Sequence, residues 1–80
     1  MRIDKFLKVS RVIKRRTVAA EACSGGRIEI NGKPAKPARE VKPGDTVTVS
    51  FGSNSLTFEV LIVDEKQTKQ SASEMYRVIE

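Results

Sequence analysis

The sequence contains no histidine and only one cysteine, Cys23. The first absence excludes histidine-based nucleophilic triads and histidine-ligated metal sites. The second excludes an internal disulfide and points to a reducing compartment. Long hydrophobic runs are also missing. The longest, Val60-Leu61-Ile62-Val63, falls far short of the roughly 20 apolar residues of a membrane span, so no membrane partner is expected. The basic start, Met1-Arg2-Ile3-Asp4-Lys5, has no apolar stretch behind it, so the expectation is a cytoplasmic protein without a secretory leader. At 80 residues there is room for one domain, 1–80, and none for a catalytic unit beside a recognition unit.

Carboxylates are few and scattered. Only Asp64 and Glu65 are adjacent, and they fall in a polar stretch where solvation is the ordinary fate of such a pair. Cys23 sits among small apolar residues with no histidine to act as its base, which marks it as a buried hydrophobe. Gly25-Gly26 lacks the Lys-Ser continuation of a phosphate loop and reads as a helix stop. Catalysis, metal ions and cofactors are therefore not expected.

What is present is positive charge, unevenly placed. The chain carries 15 Lys and Arg against 10 Asp and Glu, a net +5. Twelve of the basic residues and four of the acidic ones lie in 1–42, leaving three and six in 43–80. Such a split suits one face turned to a polyanion and another kept away from it. Arg2, Lys5, Lys8, Arg11, Lys14, Arg15 and Arg16 place seven positive charges within fifteen residues, offset only by Asp4. Like charges spaced this closely on a helix cost a few tenths of a kcal/mol per pair, a penalty that phosphate contacts would offset. Lys33, Lys36, Arg39 and Lys42 are expected to extend this surface.

Ile3, Phe6 and Leu7, followed by Val9, Val12 and Ile13, keep helical spacing and predict either one bent helix or two short ones broken near Ser10. On that wheel Lys5, Lys8, Arg11 and Arg15 share the opposite side. Asp4 and Thr17 are the expected N-caps of a helical hairpin, and Gly25-Gly26 its stop. The period then changes to two. Arg27–Ile30 alternates, Asn31-Gly32 is a tight-turn signal, and the prolines of 33–39 confine that stretch to an edge strand or a loop. Val41-Lys42-Pro43-Gly44-Asp45 predicts a type II turn. Thr46–Phe51 is expected to face Val47, Val49 and Phe51 inward, and a second strand to bury Leu56, Phe58, Val60 and Ile62. Asp64–Ser73 reads as an exposed loop ending in a helical turn, and 75–79 as a last short strand. The fold class is α+β: two N-terminal helices packed on a small, mostly antiparallel sheet.

With all three phenylalanines assigned inward, no base-stacking platform on the sheet is expected. A compact basic helical face suits folded RNA read by shape and phosphate position. Helical reading of the DNA major groove is the competing idea, but no set of Asn or Gln residues is placed to read base edges.

The blocks Arg2-Ile3-Asp4-Lys5-Phe6-Leu7, Arg11 to Thr17, Gly26-Arg27-Ile28-Glu29-Ile30-Asn31-Gly32 and Val41-Lys42-Pro43-Gly44-Asp45 together resemble the S-four-type RNA-binding domain, also called the alpha-L motif. The resemblance covers residues 1–52 by motif, with 53–80 completing a sheet. Among stand-alone bacterial members, the block from Asp4 to Arg11 and Lys14-Arg15-Arg16-Thr17 is most similar to the ribosome quality-control P-site factors. A ribosome-associated heat-shock relative typically has a longer basic tail. The resemblance implies a non-catalytic factor on the obstructed large ribosomal subunit, with large-subunit rRNA, peptidyl-tRNA and a tailing factor as partners; a monomer is expected. It implies phosphate contacts from Arg2, Lys5, Lys8, Arg11, Lys14, Arg15 and Arg16, with Arg27, Asn31 and Lys33 on the adjoining hairpin edge. Asp4 then has two readings, a helix cap or a carboxylate orienting Arg2 or Arg16, and Thr17 is a cap whose hydroxyl could reach a phosphate. Recycling of stalled subunits and a protein–protein adaptor docking through the acidic half remain the alternatives.

Overall fold

The computed structural model describes residues 1–63 and 72–79. Among the described residues, two short helices, α1 (Ile3–Val9) and α2 (Arg16–Ser24), precede five strands: β1 (Ile28–Ile30), β2 (Lys33–Pro34), β3 (Thr46–Phe51), β4 (Asn54–Val60) and β5 (Tyr76–Val78). The sheet order is β2-β1-β3-β4-β5. Every pairing is antiparallel. Among the described residues no helix is long and apolar enough to cross a membrane.

Turn chemistry sets the register. Asn31 and Gly32 both have positive φ, 53° and 82°, the signature of a type I′ turn, and they return the chain from β1 to β2. Gly44, at φ 97°, occupies the left-handed position of the expected type II turn, closed by the Asp45 N–H donating to the Lys42 carbonyl at 3.1 Å. The two-residue link Gly52-Ser53 brings Phe51 opposite Asn54. The α2 stop is a complete Schellman motif. Gly26 has φ 75° and donates to the Cys23 carbonyl, while Arg27 donates to that of Ala22.

Period-two alternation sorts the sheet into two faces. Ile28 opposes Val49, Ile30 opposes Val47, Val47 opposes Phe58, and Val60 opposes Tyr76, forming the face that meets the helices. Glu29, Thr48, Thr57, Glu59 and Arg77 lie on the other, where the Thr48 and Thr57 hydroxyls bond at 3.2 Å and Arg77 pairs with Glu59. From α1 the core takes Ile3, Phe6 and Leu7, and from α2 it takes Ala19, Ala22 and Cys23. Small side chains on α2 let it lie close to its neighbours. The Phe6 and Phe58 rings stack with centroids 6.2 Å apart, and Tyr76 tilts against Phe58 at 5.1 Å. Burial pushes the Cys23 thiol up to about 11, helped by the charge of Asp4, so it stays protonated and inert at neutral pH.

Three expectations need correction. Helix α1 stops at Val9, and Val12 and Ile13 sit half-buried in a turn where the Ile13 N–H reaches back to the Leu7 carbonyl. Ser10 ends the helix from inside, buried, with its hydroxyl on the Leu7 carbonyl. Strand β4 ends at Val60. Leu61 and Ile62 leave the ladder, both donating to the carbonyl of Met75 at the end of the short turn Ala72–Met75, and are exposed. Phe51 keeps the parity of Val47 and Val49 yet is 48% exposed, since it lies at the last position of β3, where helical cover runs out. The loop expected over Asp64–Ser73 falls mostly on residues 64–71, which lie outside the described residues.

Candidate nucleic-acid interface

The first turn of a helix leaves backbone N–H groups without helical partners. In α1 they are met by chain far away in sequence. Ile3 donates to the Arg39 carbonyl at 2.7 Å and Asp4 to the Pro37 carbonyl at 3.3 Å. Lys5 donates to Asp4 Oδ1 at 2.7 Å. The N-cap position belongs to Arg2, whose backbone also bridges to Glu40, so Asp4 is not the N-cap and lies inside the first turn. Its carboxylate is therefore available for a different task.

That task is to hold two arginines. Asp4 Oδ2 pairs with the Arg2 guanidinium at 3.1 Å and with Arg16 Nε at 3.6 Å. The Asp4 side chain is 4% exposed, whereas Arg2 and Arg16 are 48% and 46% exposed. A buried anion thus ties the start of α1 to the start of α2 and leaves two guanidiniums half in solvent on the same side of the hairpin. A guanidinium with one edge on a carboxylate keeps N–H donors on its other edges for a second acceptor. Thr17 is likewise not a cap. Arg15 occupies the N-cap position of α2, and Thr17 is exposed two residues further in, within the first turn.

The remaining basic residues divide by element. Lys8 on α1 and Lys14 and Arg15 between the helices are exposed, while Lys5 is half-buried. Arg11 does not share a helix face with Lys5 and Lys8. It lies beyond the helix end in the left-handed region, φ 65°. A non-glycine residue there costs about 1–2 kcal/mol, and such positions concentrate at functional sites. Arg11→Gly is accordingly expected to keep thermal stability or raise it slightly, by up to about 1 kcal/mol, while lowering RNA affinity. A melt and a binding titration of the same preparation check both halves.

Arg27 is exposed between α2 and β1, and Lys33 is exposed on edge strand β2. Asn31 has both ends of its amide engaged within the fold. Its Nδ2 donates to Asp45 Oδ1 at 3.2 Å, and its Oδ1 accepts the Thr46 N–H at 2.9 Å. Asp45, buried, also accepts the Lys42 N–H at 3.0 Å, so this pair clasps the β1–β2 turn to the start of β3. The structure thus brings Arg2, Asp4 and Arg16 into one constellation and leaves Asn31 and Lys33 on a separate hairpin. Sequence reasoning missed the dependence of α1 on the Pro37 and Arg39 carbonyls, and it missed the exposed Phe51. No local pattern signals the first. The second could have been found by asking what covers the tip of a strand, not only which face it presents.

A basic helical hairpin laid across an antiparallel sheet is the architecture of an RNA-binding domain class, and the S4 domain family matches residues 1–47. Among curated proteins, the RQC P-site tRNA stabilizing factor of Bacillus subtilis (strain 168) is 51% identical over 79 residues, 99% of this chain and 92% of that protein. Heat shock protein 15 of Escherichia coli (strain K12) is 32% identical over 71 residues, 89% of this chain but 53% of that protein. Among solved structures, the trimeric structure of Vibrio cholerae Heat Shock Protein 15 has a TM-score of 0.88 at 29% identity, covering 98% of this chain and 80% of that one. The chain belongs to the S4-domain family, in the branch that contains the RQC P-site tRNA stabilizing factors.

Proposed function

We propose that the protein is a non-catalytic RNA-binding factor of ribosome-associated quality control. It binds the obstructed large ribosomal subunit in the cytoplasm, as a monomer, touching large-subunit rRNA and the P-site peptidyl-tRNA. It holds that tRNA while a tailing factor extends the stalled nascent chain. The observation that carries this reading is the pair of half-exposed arginines, Arg2 and Arg16, fixed on one buried carboxylate. Lys8, Lys14 and Arg15 add exposed charge nearby in the chain. The mechanism is positional: phosphate contacts fix one RNA relative to another, and no bond is made or broken. Relatives named for stabilizing P-site tRNA, matched over nearly their whole length, support it over the recycling role. The heat-shock relative is matched over about half of its own length.

Phosphate binding has a measurable signature, because each neutralised phosphate releases counterions. With about six contacts, affinity for large subunits carrying peptidyl-tRNA is expected to fall roughly 10³-fold between 50 and 200 mM salt. Arg16→Ala is expected to lower that affinity and to reduce the slope of log affinity against log salt by about one. Sedimentation through sucrose gradients, with the bound RNA sequenced, reads both. A wild-type protein that stays at the top of the gradient with no RNA attached would overturn the reading and favour an adaptor.

A further inference from the structure

Half of the Phe51 ring faces solvent, at a position whose parity directs it toward the helices. Phe51 is not isolated. With Val12 and Ile13 of the inter-helix turn, Val18 of α2, and Arg27, it lines a single open notch. Val18, at 47% exposure, is the second large apolar side chain left uncovered there. Ser50 donates its backbone N–H to the Arg27 carbonyl at 2.9 Å, which fixes the tip of β3 against the segment bearing Arg27. The notch therefore joins an aromatic ring, an apolar floor and a basic residue, Arg27. Its Val18 wall begins two residues beyond Arg16, so the chain around it is densely cationic.

The chemistry of its occupant follows from that combination. A purely apolar partner surface would have no use for a cationic rim, and a folded duplex offers no free ring to an aromatic recess. A nucleobase lifted out of its stack supplies a flat π-face for Phe51, edge acceptors for Arg27, and a neighbouring phosphate for the charges alongside. We propose that this notch receives one unstacked nucleobase of the bound RNA, stacked on Phe51. The proposal rests on the RNA-binding reading above and adds a base contact to a surface otherwise described by phosphates alone.

Stacking is not ionic, which separates it from the arginine contacts. Phe51→Ala is expected to lower affinity for large subunits carrying peptidyl-tRNA by about ten-fold or more with the salt slope unchanged. Phe51→Leu, which keeps apolar bulk without a ring, is expected to lose nearly as much, and both variants should melt close to the wild type. The chain contains no tryptophan, so Phe51→Trp introduces a single indole reporter. Its emission is expected to be quenched on binding, as a stacked base quenches indole. If the wild type binds and Phe51→Ala and Phe51→Leu bind equally well, the notch is empty in the complex and the proposal is wrong. Weakened binding with unquenched emission also overturns it, and would assign the notch to a protein surface. Failure of the wild type to bind at all would instead remove the RNA-binding reading on which it stands.

Discussion

Phe58→Ala is expected to cost about 3–5 kcal/mol of folding free energy, the usual range for deleting a fully buried aromatic ring. Phe58 has no exposed surface and lies on β4, between β3 and β5. It pairs with Val47 on one side and Val78 on the other, and its ring touches both Phe6 and Tyr76. Through Phe6 it anchors α1, and with α1 the carboxylate that holds both arginines. A domain of this size has roughly 4–12 kcal/mol in total, at about 0.05–0.15 kcal/mol per residue. The loss therefore removes a large share of it. At roughly 4–8 °C per kcal/mol for a chain of 60–100 residues, the midpoint should fall by about 12–40 °C. Phe51→Ala provides the internal comparison. Its ring is half in water, so the same chemical change at the strand tip should cost far less. Paired thermal melts followed by circular dichroism test this, and equal shifts for the two variants would contradict the burial on which the argument rests.

The contrast between these two phenylalanines also marks what the sequence could reveal. Parity along β3 and β4 places side chains on a face, and it did so correctly for Val47, Val49, Phe58 and Phe51. Parity does not say where the covering helices end, which is why Phe51 is assigned inward yet emerges half-exposed. Turns were legible because Asn31-Gly32, Gly44 and Gly26 occupy backbone conformations that few other residues accept, so the residue types carry the geometry with them. Capping was not legible at α1. Asp4 has the chemistry of an N-cap, but the Pro37 and Arg39 carbonyls already satisfy the first donors, and a contact spanning more than thirty residues leaves no local trace. The basic composition of the candidate site is plain in the sequence. Its organisation could not, because helical spacing continued past Ser10 suggests one cationic stripe, whereas Arg11 turns off the helix in the left-handed region.

Asp4→Ala should therefore act on binding and stability together, and in opposite directions on non-specific and specific polyanion binding. Removing the carboxylate strips the Lys5 N–H of its acceptor and frees Arg2 and Arg16 from their common anchor. Loss of this acceptor from a part-buried donor costs up to about 1–3 kcal/mol, partly relieved because the two half-exposed guanidiniums can swing into water. Net charge meanwhile rises by one, which strengthens non-specific attraction to any polyanion. Retention on heparin should consequently increase, while affinity for large subunits carrying peptidyl-tRNA falls by about ten-fold, since the arginines must then be ordered at the moment of binding. Asp4→Asn distinguishes orientation from mere filling of space. The amide oxygen can still accept from Lys5, so stability should largely recover, but a neutral group holds two guanidiniums poorly and subunit binding should stay weak. If Asp4→Asn restores binding as fully as it restores the melt, Asp4 serves the hairpin alone and the two arginines find their phosphates without it.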